Sequence, residues 1–219
     1  MKKFALISLI VAAPGAWGDA YPGFGFFGGA SIPAGTTASA AGFHLGSSAL
    51  VGGCLRMATS DIGDIELAGA YHPRHRPKGF SATPELEDAK MTITPVTLGT
   101  NGTFKVAGNV GFRLGVGAGF YVEKLFEKGT AETTEGPVAF QRLLEIDRAG
   151  FYANLGPVVQ LQGFALEVTG RFHYVINEDD YNYKYTEGGP PLPATYHKGY
   201  NDMFTDITVG VSYYFLPTE

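Results

Sequence analysis

From Ile207 to Phe215 the chain alternates without a break, with Ile207, Val209, Val211, Tyr213 and Phe215 on one side and Thr208, Gly210, Ser212 and Tyr214 on the other. Successive side chains of an extended strand point to opposite faces, so this strand has one greasy face and one small or polar face. The same period of two recurs along the chain, whereas helical spacing is scarce. It predicts eight strands, over residues 24–32, 49–59, 63–72, 90–98, 106–125, 150–161, 164–176 and 204–215. The second and third strands are joined by the tight "SDIGD", the fourth and fifth by "GTNGT", and the sixth and seventh by Gln162-Gly163. The other connections are long, polar and rich in Gly and Pro, the plan of an antiparallel up-and-down barrel.

Facing residues in a hairpin lie on the same side of the sheet, so each tight turn fixes a register. A turn centred on Asp61 sets Arg56 against Glu66 and predicts a direct ion pair there. The Gln162-Gly163 turn sets Val158 against Glu167, Asn154 against Arg171 and Tyr152 against His173. An Asn101-Gly102 turn, a strong hairpin signal, sets Thr94 against Asn109 and Thr92 against Gly111. One face then collects Val51, Leu55, Leu67, Tyr71, Met91, Ile93, Phe112, Leu114, Val116, Phe151, Leu155, Leu166, Val168 and Phe172 without a charge. The other collects Arg56, Glu66, His72, Asn109, Arg113, Glu123, Asn154, Glu167, Arg171 and His173, interspersed with glycine and alanine.

An inward apolar face would make a secreted lipocalin-like carrier, and an outward one a barrel that lives in lipid. Three features favour outward. The glycines Gly111, Gly115, Gly117 and Gly119 suit a narrow lumen filled by large Arg and Tyr side chains. Aromatic residues gather toward strand ends as two girdles, with Phe24, Phe164, Tyr213 and Phe215 at the short-turn end and Tyr71, Phe120, Phe151, Tyr174 and Phe204 at the long-loop end. Eight is also an even number, as a closed antiparallel sheet in lipid requires.

The amino terminus, "MKKFALISLIVAAPGAWGDA", pairs two lysines with a short apolar run and small residues. It predicts a secretory signal peptide over residues 1–18, with cleavage after Gly18 or, as second choice, Ala20, leaving residues 19–219 as one barrel domain. The one cysteine, Cys54, has no partner for an internal disulfide. A net charge of −5 argues against a general nucleic-acid binder.

With its signal peptide, the strand "VGFRLGVGAGFYVE", alternating short turns and long loops, and a last strand "ITVGVSYYF" ending in an aromatic, the chain resembles the small eight-stranded outer-membrane β-barrels of Gram-negative bacteria, the OmpA/OmpX type. The resemblance implies an integral outer-membrane barrel with periplasmic termini and extracellular long loops. It also implies that Tyr213 and Phe215 belong to the strand read by the barrel-assembly machinery. Leu216, Pro217, Thr218 and Glu219 follow Phe215, a departure from the usual ending. Pro95 and Pro157 fall inside strands, where each removes a ladder donor, and predict bulges.

Arg56, Glu66, Arg113, Glu167 and Arg171 form the candidate polar network of the barrel interior. The run "YHPRHRPK" places Arg74, His75, Arg76 and Lys78 where the third strand meets its outer loop, a candidate contact for the phosphates of lipopolysaccharide. Reading His72 and His75 as metal ligands is weaker, because no carboxylate or thiolate is near them in sequence, and no metal or cofactor is expected. The fourth outer loop, residues 177–202, is acidic and rich in tyrosine, which suits a surface protein partner, while Glu178, Asp179 and Asp180 suit a divalent cation between headgroups. The alternation continues through "VAFQRLLEI", predicting that the fifth and sixth strands rise together above the outer leaflet, with a phase-shifting bulge near Ala149-Gly150; a short loop helix is the competing reading. Gly-x-Ser-x-Gly, His-Glu-x-x-His and a glycine-rich phosphate loop are all missing. The chain therefore reads as a non-enzymatic envelope scaffold whose loops meet lipopolysaccharide or protein, the alternatives being a lipid A-modifying enzyme on the same fold or the lipocalin-like carrier.

Overall fold

The computed structural model describes residues 21–33, 44–60, 63–75, 77–78, 86–176, 181–188, 195–196 and 202–215. Its strands are β1 (Tyr21–Pro33), β2 (His44–Leu45), β3 (Ser48–Ser60), β4 (Gly63–His75), β5 (Pro77–Lys78), β6 (Leu86–Ala107), β7 (Val110–Thr133), β8 (Gly136–Leu161), β9 (Phe164–Val175), β10 (Tyr181–Gly188), β11 (Thr195–Tyr196) and β12 (Asp202–Tyr214). Eight of them close a ring in the order β1, β3, β4, β6, β7, β8, β9, β12, with every neighbour antiparallel and β12 returning to β1. Closure leaves no barrel strand with an unpaired edge at the level of the ring.

Side-chain alternation has the direction that the outward reading requires. Val51, Leu55, Val116 and Val209 are 61 to 66% exposed, while Glu66, His72, Glu123 and Arg148 are at most 1% exposed. A belt of bare aliphatic and aromatic side chains surrounds a charged interior, the reverse of a lipocalin-like arrangement. Phe24, Phe164, Tyr213 and Phe215 meet on the outer surface at the short-turn end, with ring centroids 4.9 to 6.0 Å apart.

Two predicted hairpins have their expected register. Arg56 faces Glu66, and Val158, Asn154 and Tyr152 face Glu167, Arg171 and His173. At the second turn Gly163 takes φ +72°, the left-handed backbone that glycine adopts without penalty. The third differs. The β6–β7 turn lies at Gly108-Asn109, while Asn101 and Gly102 stay extended against Asp64 and Gly63 of β4. The neighbouring strand and the use of the Asn101 side chain inside the barrel override the local turn propensity. A register shift between Lys105 and Ala107 then reverses the parity of β6. Met91 and Ile93 consequently point inward and are buried, Thr94 faces Val122, Thr92 faces Lys124, and Asn109 is exposed in the turn. Phe204 is also inward, buried at the loop end and not part of an outer girdle.

Neither Pro95 nor Pro157 makes a bulge. Across each proline the ladders on both sides keep their register, and β4–β6 and β8–β9 simply omit the affected pairs. The irregularity on β4 falls between His72 and His75, around Pro73. No bulge occurs at Ala149-Gly150 either, since β7 and β8 pair in one register from Val110↔Val159 to Thr133↔Gly136. The segment "VAFQRLLEI" is strand and not helix. No phase shift is needed because the inward face changes chemistry instead, from Asn154 and Tyr152 below to Leu144, Ile146 and Phe140 above. Here β10, within the fourth loop, pairs with β8 from Phe140 to Leu144, widening the raised hairpin into a sheet.

Candidate functional site

The interior is built from the polar face of the barrel strands. Glycines on β7 make room for it: a Cβ on Gly117 would lie 2.5 Å from Tyr152 Cε1, and one on Gly115 would meet Asn101 and Asn154. The lumen therefore accepts long side chains from the opposite wall.

Toward the short-turn end three arginines interlock with three carboxylates. Arg56 donates from Nε and Nη2 to Glu66 Oε2 at 2.8 and 2.6 Å, and from Nη2 to Glu167 Oε2 at 3.1 Å. Its Nη1 also donates to Ser212 Oγ at 2.7 Å and pairs with Glu167. Arg113 donates to Glu167 Oε2 at 2.8 Å and to Tyr214 Oη at 3.0 Å, and pairs with Asp64. Arg171 pairs with Glu66, and its guanidinium lies 4.6 Å from the Tyr152 ring centroid. Asn101 donates to Asp64 Oδ1 at 2.7 Å and accepts from Asn154 at 3.0 Å. The charges balance, three against three, which is what a low-dielectric interior demands of buried ions. Above this layer a cavity of about 30 Å³ is lined by Cys54, Thr97, Arg171, His173, Asp206 and Thr208, among others. That is room for a water or two.

Toward the loop end the interior turns aromatic and apolar. Met91, Ile93, Tyr121, Val175 and Phe204 form one cluster. Within it His173 stacks on Phe204 at 4.4 Å and 14°, Tyr121 Oη lies 2.9 Å from His173 Nδ1, and Asp206 Oδ2 lies 3.3 Å from His72 Nε2 and 3.2 Å from His173 Nε2. His75 Nδ1 lies 2.8 Å from the carbonyl of Gly46. Beside them Arg148 pairs with Glu123, both fully buried.

All five expected network residues, Arg56, Glu66, Arg113, Glu167 and Arg171, thus meet in one lumen, joined by Asp64, Asn101, Ser212 and Tyr214, which sequence reasoning does not place in the network. The alternating face contained that signal, because Asp64 lies two residues before Glu66 on the same side. The basic run is divided. His75 is completely buried and turned inward, which removes it from any headgroup contact, while the side chains of Arg74 and Lys78 and all of Arg76 lie outside the described residues. The predicted signal peptide, Glu178, Asp179, Asp180 and residues 216–219 also lie outside them. Among the described residues no group of three or more His, Cys, Asp or Glu side chains is arranged to hold a metal ion.

No family model matches the sequence, and no curated protein matches it. Solved structures do. The Neisserial surface protein A structure superposes with a TM-score of 0.52 at 9% identity, covering 90% of this chain and 99% of that one. The outer membrane protein OprG from Pseudomonas aeruginosa gives 0.51 at 14% identity, covering 91% and 97%. With its closed ring of eight antiparallel strands, apolar belt and charged lumen, the chain has the fold of the small eight-stranded outer-membrane β-barrel proteins.

Proposed function

We propose that the protein is a non-enzymatic barrel of the bacterial outer membrane, a scaffold that presents its raised sheet and long loops to lipopolysaccharide or a surface protein. The observation that carries this reading is the division of the molecule. Its lumen is filled by a neutral network of three arginines and three carboxylates, while its longest strands, β7 and β8, continue past the ring into a sheet joined by β10. A blocked lumen favours contact at the rim over transport through the middle, and a raised sheet supplies a rigid platform for it. The short turns and both termini face the periplasm in this reading, the long loops face outward, and Tyr213 and Phe215 on the closing strand are read by the barrel-assembly machinery.

Fractionation with gel mobility before and after boiling tests the location, since a folded barrel migrates differently once denatured. Recovery in the soluble fraction with unchanged mobility would overturn it. Binding of purified protein to lipopolysaccharide, compared with an Arg74→Ala, Arg76→Ala, Lys78→Ala variant, tests the basic rim, and equal binding by both would remove it from the reading. Incubation with labelled lipid A tests the absence of catalysis, and any converted product would establish an enzyme.

A further inference from the structure

At the loop end two buried histidines flank one carboxylate and a third buried histidine lies against one of them. His72 and His173 flank Asp206 Oδ2 at 3.3 and 3.2 Å, and the His75 ring centroid lies 5.8 Å from that of His72. His72 and His75 are 0% exposed, His173 is 1% exposed, and the shell around them is Met91, Ile93, Tyr121, Val175 and Phe204. The other inward titratable groups at this level, among the described residues, are already engaged. Glu123 on β7 pairs with Arg148 on β8, Arg171 on β9 pairs with Glu66, Tyr121 on β7 meets His173, and Tyr152 on β8 lies under Arg171. The inward residues of β6 here, Met91, Ile93, Pro95 and Thr97, carry no charge, nor do Ser31 of β1 and Ser48 of β3. Among the described residues Asp206 is thus the one countercharge left for these imidazoles.

Two of these histidines, His72 and His75, sit on the least continuous described seam of the barrel, between β4 and β6. The β4–β6 ladder passes from Gly69↔Val96 to His72↔Ile93 and then shifts before His75↔Met91. Pro95 on one strand and Pro73 on the other have no amide proton, so neither strand can complete the ladder at this height. His75 fastens the end of β4 to the Gly46 carbonyl ahead of β3. When Nδ1 donates that bond, an added proton must go to Nε2, which is buried without a hydrogen-bond partner among the described residues.

We propose that the loop end of this barrel is a proton-operated closure, held shut while the buried His75 and His173 are neutral and released when acid charges them. The count of charges gives the direction. With neutral imidazoles the cluster holds one anion with two ring nitrogens beside it. Protonating His75 and His173 adds two positive charges against one negative, in an apolar shell and next to the cationic Arg171. One imidazolium can pair with Asp206, and the other carries an uncompensated desolvation penalty that opening to water relieves. Histidine is the side chain that makes this change between about pH 7 and pH 5. The movement expected is release of the His72–His75 end of β4 from β6 and from Gly46, opening the small lumen cavity that Cys54 also lines.

The test is amide hydrogen exchange on the purified full chain in detergent micelles, corrected for the intrinsic pH dependence of exchange. Protection at residues 70–75 and 46–50 should fall by about tenfold or more between about pH 7 and pH 5. The β8–β9 turn should not change. The variant His72→Gln, His75→Gln, His173→Gln, which keeps hydrogen-bonding groups but cannot titrate, should show no such fall. Cys54 labelling by a neutral disulfide reagent, taken as the ratio of wild type to that variant at each pH, should rise in acid. Unchanged wild-type protection, or an equal loss in the variant, would overturn the proposal. Should the triple variant lose its heat-modifiable mobility, His75→Gln alone decides: an acid response as large as the wild type's would overturn it.

Discussion

Arg171 faces Asn154 across the β8–β9 ladder, yet its guanidinium pairs with Glu66 of β4, directly across the barrel. Glu66 also takes two hydrogen bonds from Arg56, its own neighbour on β3, so one carboxylate ties three strands. Removing Glu66 leaves two buried cations short of a partner. Glu66→Ala should therefore destabilise the barrel severely, with about 3 to 5 kcal/mol as the upper range for a broken buried pair. The double variant Arg56→Ala, Glu66→Ala should cost less than the sum of the single changes, measured by reversible unfolding in detergent. Strict additivity would show that the pair contributes no coupling.

The lumen should not conduct steadily. Arg56, Arg113, Arg171, Asp64, Glu66 and Glu167 cross it at successive heights, and the cavity beside them is only about 30 Å³. Planar-bilayer recording of the wild type should give no lasting porin-like steps. A stable open level would show that these side chains leave a continuous water path.

Leu114 and Val168 stand in the apolar belt, 47 and 44% exposed. Changing either to Arg should cost roughly 2 to 4 kcal/mol near the bilayer midplane, where the charge must enter hydrocarbon. Thr134→Arg, at the exposed tip of the β7–β8 hairpin, should be nearly silent. Equal tolerance of the three in unfolding from lipid would contradict an outward apolar face.

Two glycines locate the β6–β7 turn. Gly108 has φ +53° with open space where a Cβ would go, so Gly108→Ala should lose about 1 to 2 kcal/mol from backbone strain alone. Gly102 pairs with Gly63 and Leu114 in extended ladders, and Gly102→Ala carries no such left-handed penalty. A larger loss at Gly102 would move the turn back to Asn101-Gly102.

In the raised sheet, burial lifts the carboxyl of Glu127 above the usual range, with Arg142 on the facing strand opposing the shift. A raised folded-state pKa means that the folded state holds the proton more tightly than the unfolded chain. Stability is then present below the unfolded pKa and is lost as pH rises through the folded one. Glu127→Gln should remove this part of the pH dependence and protect β7 amides more strongly at neutral pH. Weaker protection in the variant would show that its pairing with Arg142 outweighs burial.

What the sequence determined by itself was whatever depends on a period of two and on nearest neighbours. The alternation of Ile207 to Phe215 required a two-faced strand, and the residues around Asp61 and Gln162-Gly163 fixed two hairpins locally enough to set Arg56 opposite Glu66 and Asn154 opposite Arg171. The tertiary structure decided what depends on closure. Asn101-Gly102 is a good turn in isolation, but β4 needs an extended partner at that height, and one register shift near Ala107 sent Met91 and Ile93 inward. Pairing across the lumen was equally hidden, because Arg171 and Glu66 are 105 residues apart and adjacent only once the sheet has curled shut. His75 reads in sequence as one of a basic run. Its burial follows from the broken β4–β6 ladder, which turns it toward Gly46 while the polar and apolar halves of the lumen meet beneath it. Local alternation says which residues share a face; only the closed ring says which of them share a space.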